Sequence, residues 1–226
     1  MYYFRPLTLF YFSVLAFEMY AESMQDLPVI YFTKPILMPL LLVFFLINNR
    51  QNLSMEKWFF SLSLVFSLAG DVFLMFRRDD FFVFGLGSFL LAHLGYIVSF
   101  SVRIREAKTT VGQMLLSGIP FLLFVGIFLW FLYPYITAKS ETALLFAPVA
   151  VYASVISLMG FTALLRKNAV SASGFWMVFS GALLFVVSDS CIALNKFVTP
   201  LPYAGVLIMA TYGVAQYMIT IGIVKR

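Results

Sequence analysis

The chain has 226 residues, of which 62% are hydrophobic, 19% aromatic and only 11% charged. A soluble domain is about half apolar and about a quarter charged, so this composition lacks the polar surface that water solubility requires. The net charge of +5 reads as basic loops that orient a membrane chain rather than as a nucleic-acid surface, and a single Cys (Cys191) with a single His (His93) excludes an internal disulfide and argues against a Cys- or His-based metal site.

Crossing the hydrocarbon as a helix takes about 20 apolar residues. Eight such runs are predicted, at 7–24, 29–47, 58–76, 81–102, 115–135, 142–165, 173–194 and 203–224. The connections are short, so residues 1–226 read as a single integral membrane domain: an all-α, polytopic bundle of eight transmembrane helices, with two four-helix halves as an expectation. The first run carries Glu18 and Glu22 and lacks an A-x-A-like cleavage site, so it reads as a retained helix rather than a signal peptide. With the N-terminus inside, the inner segments hold ten Lys and Arg and the outer loops four, which predicts a multi-pass cell-membrane protein with both termini cytoplasmic.

The first run places Glu18 and Glu22 at i, i+4, with Asp26 near the same face. They read either as an acidic cap at the headgroups or, for the deepest, Glu18, as part of a site. The second run reads Thr33-Lys34-Pro35, with Pro39 a turn on. A lysine at that depth can snorkel, and two prolines that each remove a backbone donor make room for a ligand or water. The third run spaces Ser63, Ser67 and Asp71 at i, i+4, i+8, a polar stripe that points into the bundle. A structural Asp–Lys pair is the plainer alternative to a functional acid at Asp71. The loop Arg77-Arg78-Asp79-Asp80 is a charge-balanced turn.

His93 and Tyr96 share a face of the fourth run at i, i+3, with His93 near mid-span and deeper than Asp71. They form either a buried hydrogen-bonded pair or a proton relay. The fifth run reads as packing or lipid-facing surface. Tyr152, in the sixth, lies 118 residues after Lys34, the offset that also separates Asp71 from Asp189 in the seventh. Asn195 and Lys196 fall just beyond the seventh run, with Lys196 on the face of Asp189 as a candidate counter-ion. Tyr212 and Gln216 stand at i, i+4 in the eighth, and Gln216 requires a partner because an unpaired amide is costly in hydrocarbon.

Both halves thus deliver Glu18, Lys34, Asp71, Asp189 and Asn195 to one layer, with His93, Tyr96, Tyr152, Tyr212 and Gln216 at or below it. Asp71 and Asp189 are expected to face each other across an apolar cleft. Two carboxylates with one cation there suit acid–base chemistry on a lipid-like molecule, one as proton donor and the other ionised to activate water. No G-x-S-x-G occurs and the lone His leaves little scope for a hydrolase triad. A small-molecule or lipid transporter, and an acid–base isomerase of an apolar lipid, fit the same features.

Five segments together carry a resemblance: Ser67 to Met75 (SLAGDVFLM), the His93-x-x-Tyr96 pair, Leu184 to Ser190 (LFVVSDS) with Asn195-Lys196-Phe197, Thr33-Lys34-Pro35, and Tyr212-x-x-x-Gln216. Their order along nearly the whole chain resembles the YhhN-like lysoplasmalogenase family. The resemblance implies hydrolysis of the vinyl-ether bond of a lysoplasmalogen, a lysophospholipid substrate in the bilayer, to a fatty aldehyde and glycerophosphoethanolamine or glycerophosphocholine. Vinyl-ether hydrolysis is acid-catalysed, which suits Asp71 and Asp189 as the catalytic pair without cofactor, metal or nucleic acid. Glu18, Lys34, His93, Tyr96, Tyr152, Asn195, Tyr212 and Gln216 are the supporting or substrate-binding candidates.

Overall fold

Within hydrocarbon a chain must satisfy its own backbone N–H and C=O groups, which leaves long apolar runs the helix. The computed structural model describes residues 4–49, 54–76, 78–107 and 109–225, and the regular elements among them are all helical. In order they are α1 (Phe4–Met24), α2 (Leu27–Asn48), α3 (Met55–Met75), α4 (Asp79–Ser101), a 3₁₀ turn (Ile104–Ala107), α5 (Val111–Thr137), α6 (Ser140–Ala143), α7 (Phe146–Leu165), α8 (Ala172–Ala193), a π turn (Leu194–Val198) and α9 (Ala204–Val224). Arg50, Arg77, Lys108 and Arg226, which enter the charge balance of the loops, lie outside the described residues.

Seven helices among the described residues are long and apolar enough to cross a membrane: α2, α3, α4, α5, α7, α8 with its π turn, and α9. The protein is a multi-pass membrane protein. Helix α1, the first of the eight expected spans, has the length but falls outside this set: it contains Glu18 and Glu22 and is the least apolar of the long helices. It nevertheless packs along α2 and α9.

The chain punctuates itself with ordinary capping chemistry. Asp26 accepts a hydrogen bond from the Val29 amide at 3.3 Å and Ser171 from that of Gly174 at 3.1 Å. Thr110 and Gln113 form a reciprocal capping box at the start of α5. The expected sixth span is divided into α6 and α7, and Pro148 falls in the first turn of α7, where no intrahelical donor is needed. Helix α2 continues through Pro35 and Pro39. The seventh span does not stop near residue 194; it runs on as the π turn, so Asn195 and Lys196 extend it.

Packing follows α1–α2–α3–α4–α7–α8–α9 and back to α1, a closed ring of seven helices. Helix α5 lies outside the ring, against α7 and the π turn, and exposes Leu115, Leu116, Leu122, Ile127 and Trp130, as the fifth run anticipates. The tightest contacts depend on glycine. A Cβ at Gly181 of α8 would lie 2.9 Å from the carbonyl oxygen of Ala215 in α9, so the backbones touch there as small residues permit between membrane helices. Gly181→Val is therefore expected to overpack this seam by about 1–3 kcal/mol, read as a lowered melting temperature of the detergent-solubilised protein.

At the end of the ring away from the acid cluster, the Arg103 Nε donates to Glu56 Oε2 at 3.2 Å and Arg166 Nη2 lies 3.6 Å from Glu56 Oε1. Arg166 also stands over the Phe100 ring at 5.2 Å. These groups tie the start of α3 to the ends of α4 and α7. Glu56 and Arg166 are buried.

Candidate functional site

Three polar clusters converge inside the ring. The first joins α1 to α2. Lys34 Nζ lies 2.7 Å from Glu22 Oε1 and 3.6 Å from Glu18 Oε1, and the Thr33 hydroxyl donates to Glu18 Oε2. Glu18 is fully buried and Glu22 nearly so. The acidic pair is thus not a headgroup cap: it is the counter-charge of an intramembrane lysine.

The second cluster is a two-rung ladder between α3 and α9. The Tyr212 hydroxyl donates to Asp71 Oδ2 at 2.8 Å, and one turn deeper Gln216 Nε2 donates to Ser67 Oγ at 3.0 Å. The rungs match because Ser67 and Asp71, like Tyr212 and Gln216, stand four residues apart on one helix face. The Tyr96 hydroxyl donates to Gln216 Oε1 at 2.6 Å, which gives the buried amide partners on both ends. Lys34, Glu18 and Asp189 are the other charged groups within electrostatic reach of Asp71.

The third cluster joins α4, α7 and α8. The Tyr152 hydroxyl donates to Asp189 Oδ2, and His93 Nε2 lies 3.0 Å from the Tyr152 oxygen and 3.3 Å from Asp189 Oδ2. The His93 ring is fully buried, edge-on to Phe185 with centroids 4.7 Å apart. His93 and Asp189, expected at different depths, are nevertheless neighbours at 3.3 Å, and α8 continues past Ala193 as the π turn. Lys196, the counter-ion candidate for Asp189, lies 5.1 Å over the Phe82 ring.

The two aspartates therefore sit in different clusters, each held by its own tyrosine. Phe185 stands 5.3 Å from the Tyr212 ring as well as against His93, and Phe89 stands 5.7 Å from Tyr212. His93 and Tyr96, expected to act together, are divided between the clusters: His93 serves Asp189, and Tyr96 serves the Asp71 ladder.

Two adjoining cavities distinguish the aspartates further. One, a cavity of about 50 Å³, is walled by apolar side chains of α4, α5, α7 and α8 and carries Asp189 and Tyr152 in its lining. The other, about 630 Å³, opens toward the ends of α1, α3 and α8 and is lined by Lys34, Arg78, Asn195, Lys196 and Glu22. Leu74, Phe82 and Ile192 form part of both walls. Asp71 lines neither. Asn195 has a further task, accepting the Leu201 amide at 2.8 Å and so shaping the loop into α9. Gln25 and Tyr203, both with φ of 54°, also border the polar cavity. Left-handed backbone at residues other than glycine is strained and collects at functional sites.

The sequence reading left Thr33, Arg78 and Glu22 out of the candidate set. Thr33 had a signal, its place beside Lys34 on a helix facing Glu18. Arg78 had none, since a loop arginine next to Asp80 reads as a surface pair, and it does make one, at 3.0 Å.

Fold and site together define a multi-pass helical membrane protein with an acid cluster buried beside a paired apolar and polar cavity. The chain belongs to the YhhN family, whose profile matches residues 29–223. It is 36% identical over 165 residues to lysoplasmalogenase TMEM86A of Bos taurus, a match covering 72% of this chain and 63% of that protein. The Homo sapiens lysoplasmalogenase TMEM86A is 35% identical over the same length and coverage. A Mycobacterium tuberculosis lysoplasmalogenase is 33% identical over 141 residues, 62% of this chain and 50% of the relative. The chain thus spans less than two thirds of the length of these relatives. No solved structure matches the protein.

Proposed function

We propose that the protein hydrolyses the vinyl-ether bond of lysoplasmalogens, giving a fatty aldehyde and glycerophosphoethanolamine or glycerophosphocholine. The observation that carries this reading is the position of Asp189: a carboxyl group in the wall of an apolar cavity that adjoins a cavity lined by Lys34, Arg78 and Lys196. A lysolipid has the matching shape, with its phosphate among the cations and its alkenyl chain in the apolar space. The scissile ether falls between them, beside Asp189. The relatives that bear the name lysoplasmalogenase support the same reading.

In this mechanism the protonated Asp189 delivers its proton to the carbon beta to the ether oxygen, leaving an oxocarbenium ion. Water from the polar cavity adds to that cation and returns a proton to the Asp189 carboxylate. The hemiacetal then collapses to aldehyde and alcohol. Tyr152 and His93 hold the Asp189 carboxyl group in place, as paired groups do for the acid of a glycosidase. Asp71, kept rigid by Tyr212, supplies a second acidic charge that stabilises the cation. Lys34 pairs with Glu18 and Glu22 at the edge of the polar cavity, where Arg78 and Lys196 are the cations that face the phosphate.

The arrangement of the site also supports the finer architecture. Each aspartate takes a partner from the opposite half: Asp71 of α3 binds Tyr212 of α9, and Asp189 of α8 binds His93 of α4. The pairs α3–α4 and α8–α9, and the crossings α2–α9 and α4–α7, correspond in the same way. Two four-helix halves in one membrane unit, with α1 as the eighth span and both termini cytoplasmic, accord with this. The deciding assay is direct. Purified protein given a lysoplasmalogen is expected to release aldehyde and glycerophospho-headgroup in equal amounts. Movement of unaltered lipid with no aldehyde would make it a transporter instead.

A further inference from the structure

The apolar cavity, about 50 Å³, is too small for the chain it is asked to hold. On α7 its wall runs from Val149 to Ile156, and on α4 from Phe82 to Phe89. Each wall spans seven residue steps, or ~10 Å of helix at 1.5 Å per residue. The hydrocarbon of one leaflet is ~15 Å deep, half of the ~30 Å core, and a membrane lysolipid's chain is built to fill it. The rest of the chain must leave the cavity.

Only one wall is built from a helix outside the ring. Phe124 and Phe128 of α5, stacked on each other with centroids 5.5 Å apart, face Phe82, Leu86 and Phe89 of α4 across the cavity. Helix α5 takes its support from α7 and the π turn. Its other faces are covered with exposed Leu, Ile and Trp that meet acyl chains. Gly126 has open space where a Cβ would be. The phenylalanines on both sides of the gap are only partly buried, apart from Phe89.

We propose that the gap between α4 and α5 is a lateral opening to the bilayer, through which the hydrocarbon chain of a single-chain lipid reaches Asp189 and its distal end remains in the membrane. The two products then separate by chemistry. The aldehyde slides back into the leaflet through this gap, and the water-soluble glycerophosphodiester leaves past Lys34, Arg78 and Lys196. This rests on the lysolipid reading above and adds to it a route and a rule: the protein measures the segment of chain next to the ether, not the chain's end.

Two saturated 1-O-alkyl lysophosphocholines of equal chain length test this, one plain and one with pyrene on the terminal carbon. Neither has a vinyl ether, so neither is hydrolysed, and binding to the full protein in nanodiscs is read by competition. The wild type is expected to bind the two within about threefold of each other, well under the 1.4 kcal/mol that a tenfold difference represents. Leu86→Trp, which narrows the gap, is expected to weaken the pyrene probe about tenfold or more while sparing a short-chain alkyl analogue. Binding of the plain probe with exclusion of the pyrene probe by the wild type overturns the opening and leaves the hydrolase reading standing. Binding of neither probe by a wild type that is folded overturns both.

Discussion

Asp189→Asn is expected to lower aldehyde release by roughly 10²- to 10⁴-fold, the range that a positioned general acid contributes. The amide keeps the shape of the carboxyl group and can still accept from Tyr152, so the fold survives. It has no acidic proton to give to carbon. Tyr152→Phe removes the hydroxyl that fixes Asp189 Oδ2 and leaves His93 at 3.3 Å as its remaining polar neighbour. Its expected effect is smaller, because orientation is lost but the acid remains. Asp71→Asn is expected to reduce turnover as well, through loss of the second carboxyl group, held behind the cavity wall by Tyr212. The measurement is aldehyde formation by each variant at equal amounts of folded protein, checked by a monodisperse chromatographic profile. Full activity in both Asp189→Asn and Asp71→Asn would remove the carboxylate mechanism.

Lys34→Met is expected to be the most destabilising single change in the site, by about 3–5 kcal/mol, the range found when one partner of a buried ion pair is deleted. The reason is local. Glu18 is fully buried, Glu22 has only 7% of its side chain exposed, and Lys34 is the cation that both carboxylates meet. Thr33 offers Glu18 a hydrogen bond but no charge. Thermal unfolding of the solubilised protein reads this loss. The control is the triple variant Lys34→Met, Glu18→Gln, Glu22→Gln, which removes every charge in the cluster. It is expected to recover most of the stability without recovering full activity, since the polar cavity loses the Lys34 ammonium donor. A triple variant as unstable as Lys34→Met alone would mean that the loss comes from packing, not from stranded charge.

The resemblance in the sequence held because motif residues separated widely along the chain come together in space. Ser67 and Asp71 at i, i+4 meet Tyr212 and Gln216 at the same spacing, and a helix repeat is enough to make such a ladder legible once both runs are known to be helices. Other features resisted reading. His93 lies near the middle of its run and Asp189 near the end of its own, so counting residues from helix ends separates them. The two groups nevertheless meet at 3.3 Å, and the π turn that continues α8 has no simple sequence signature. Glu22 looked like an interfacial cap because a helix end is where headgroups normally lie. Its burial depends on Lys34, twelve residues away on the next helix.

Composition and periodicity alone determined that this chain lives in a membrane as a helical bundle and that acids occur within its apolar runs, because hydrocarbon tolerates no other backbone solution and few ionised groups. Which acid lines the apolar cavity was decided only by the tertiary structure. Asp71 and Asp189 are alike in depth and in apolar surroundings along the sequence, but α5 docks on α7 rather than within the ring, and the space it leaves lies beside Asp189. Helix-to-helix packing is set by side-chain shape across chains of contacts far apart in sequence, and no single run contains that information.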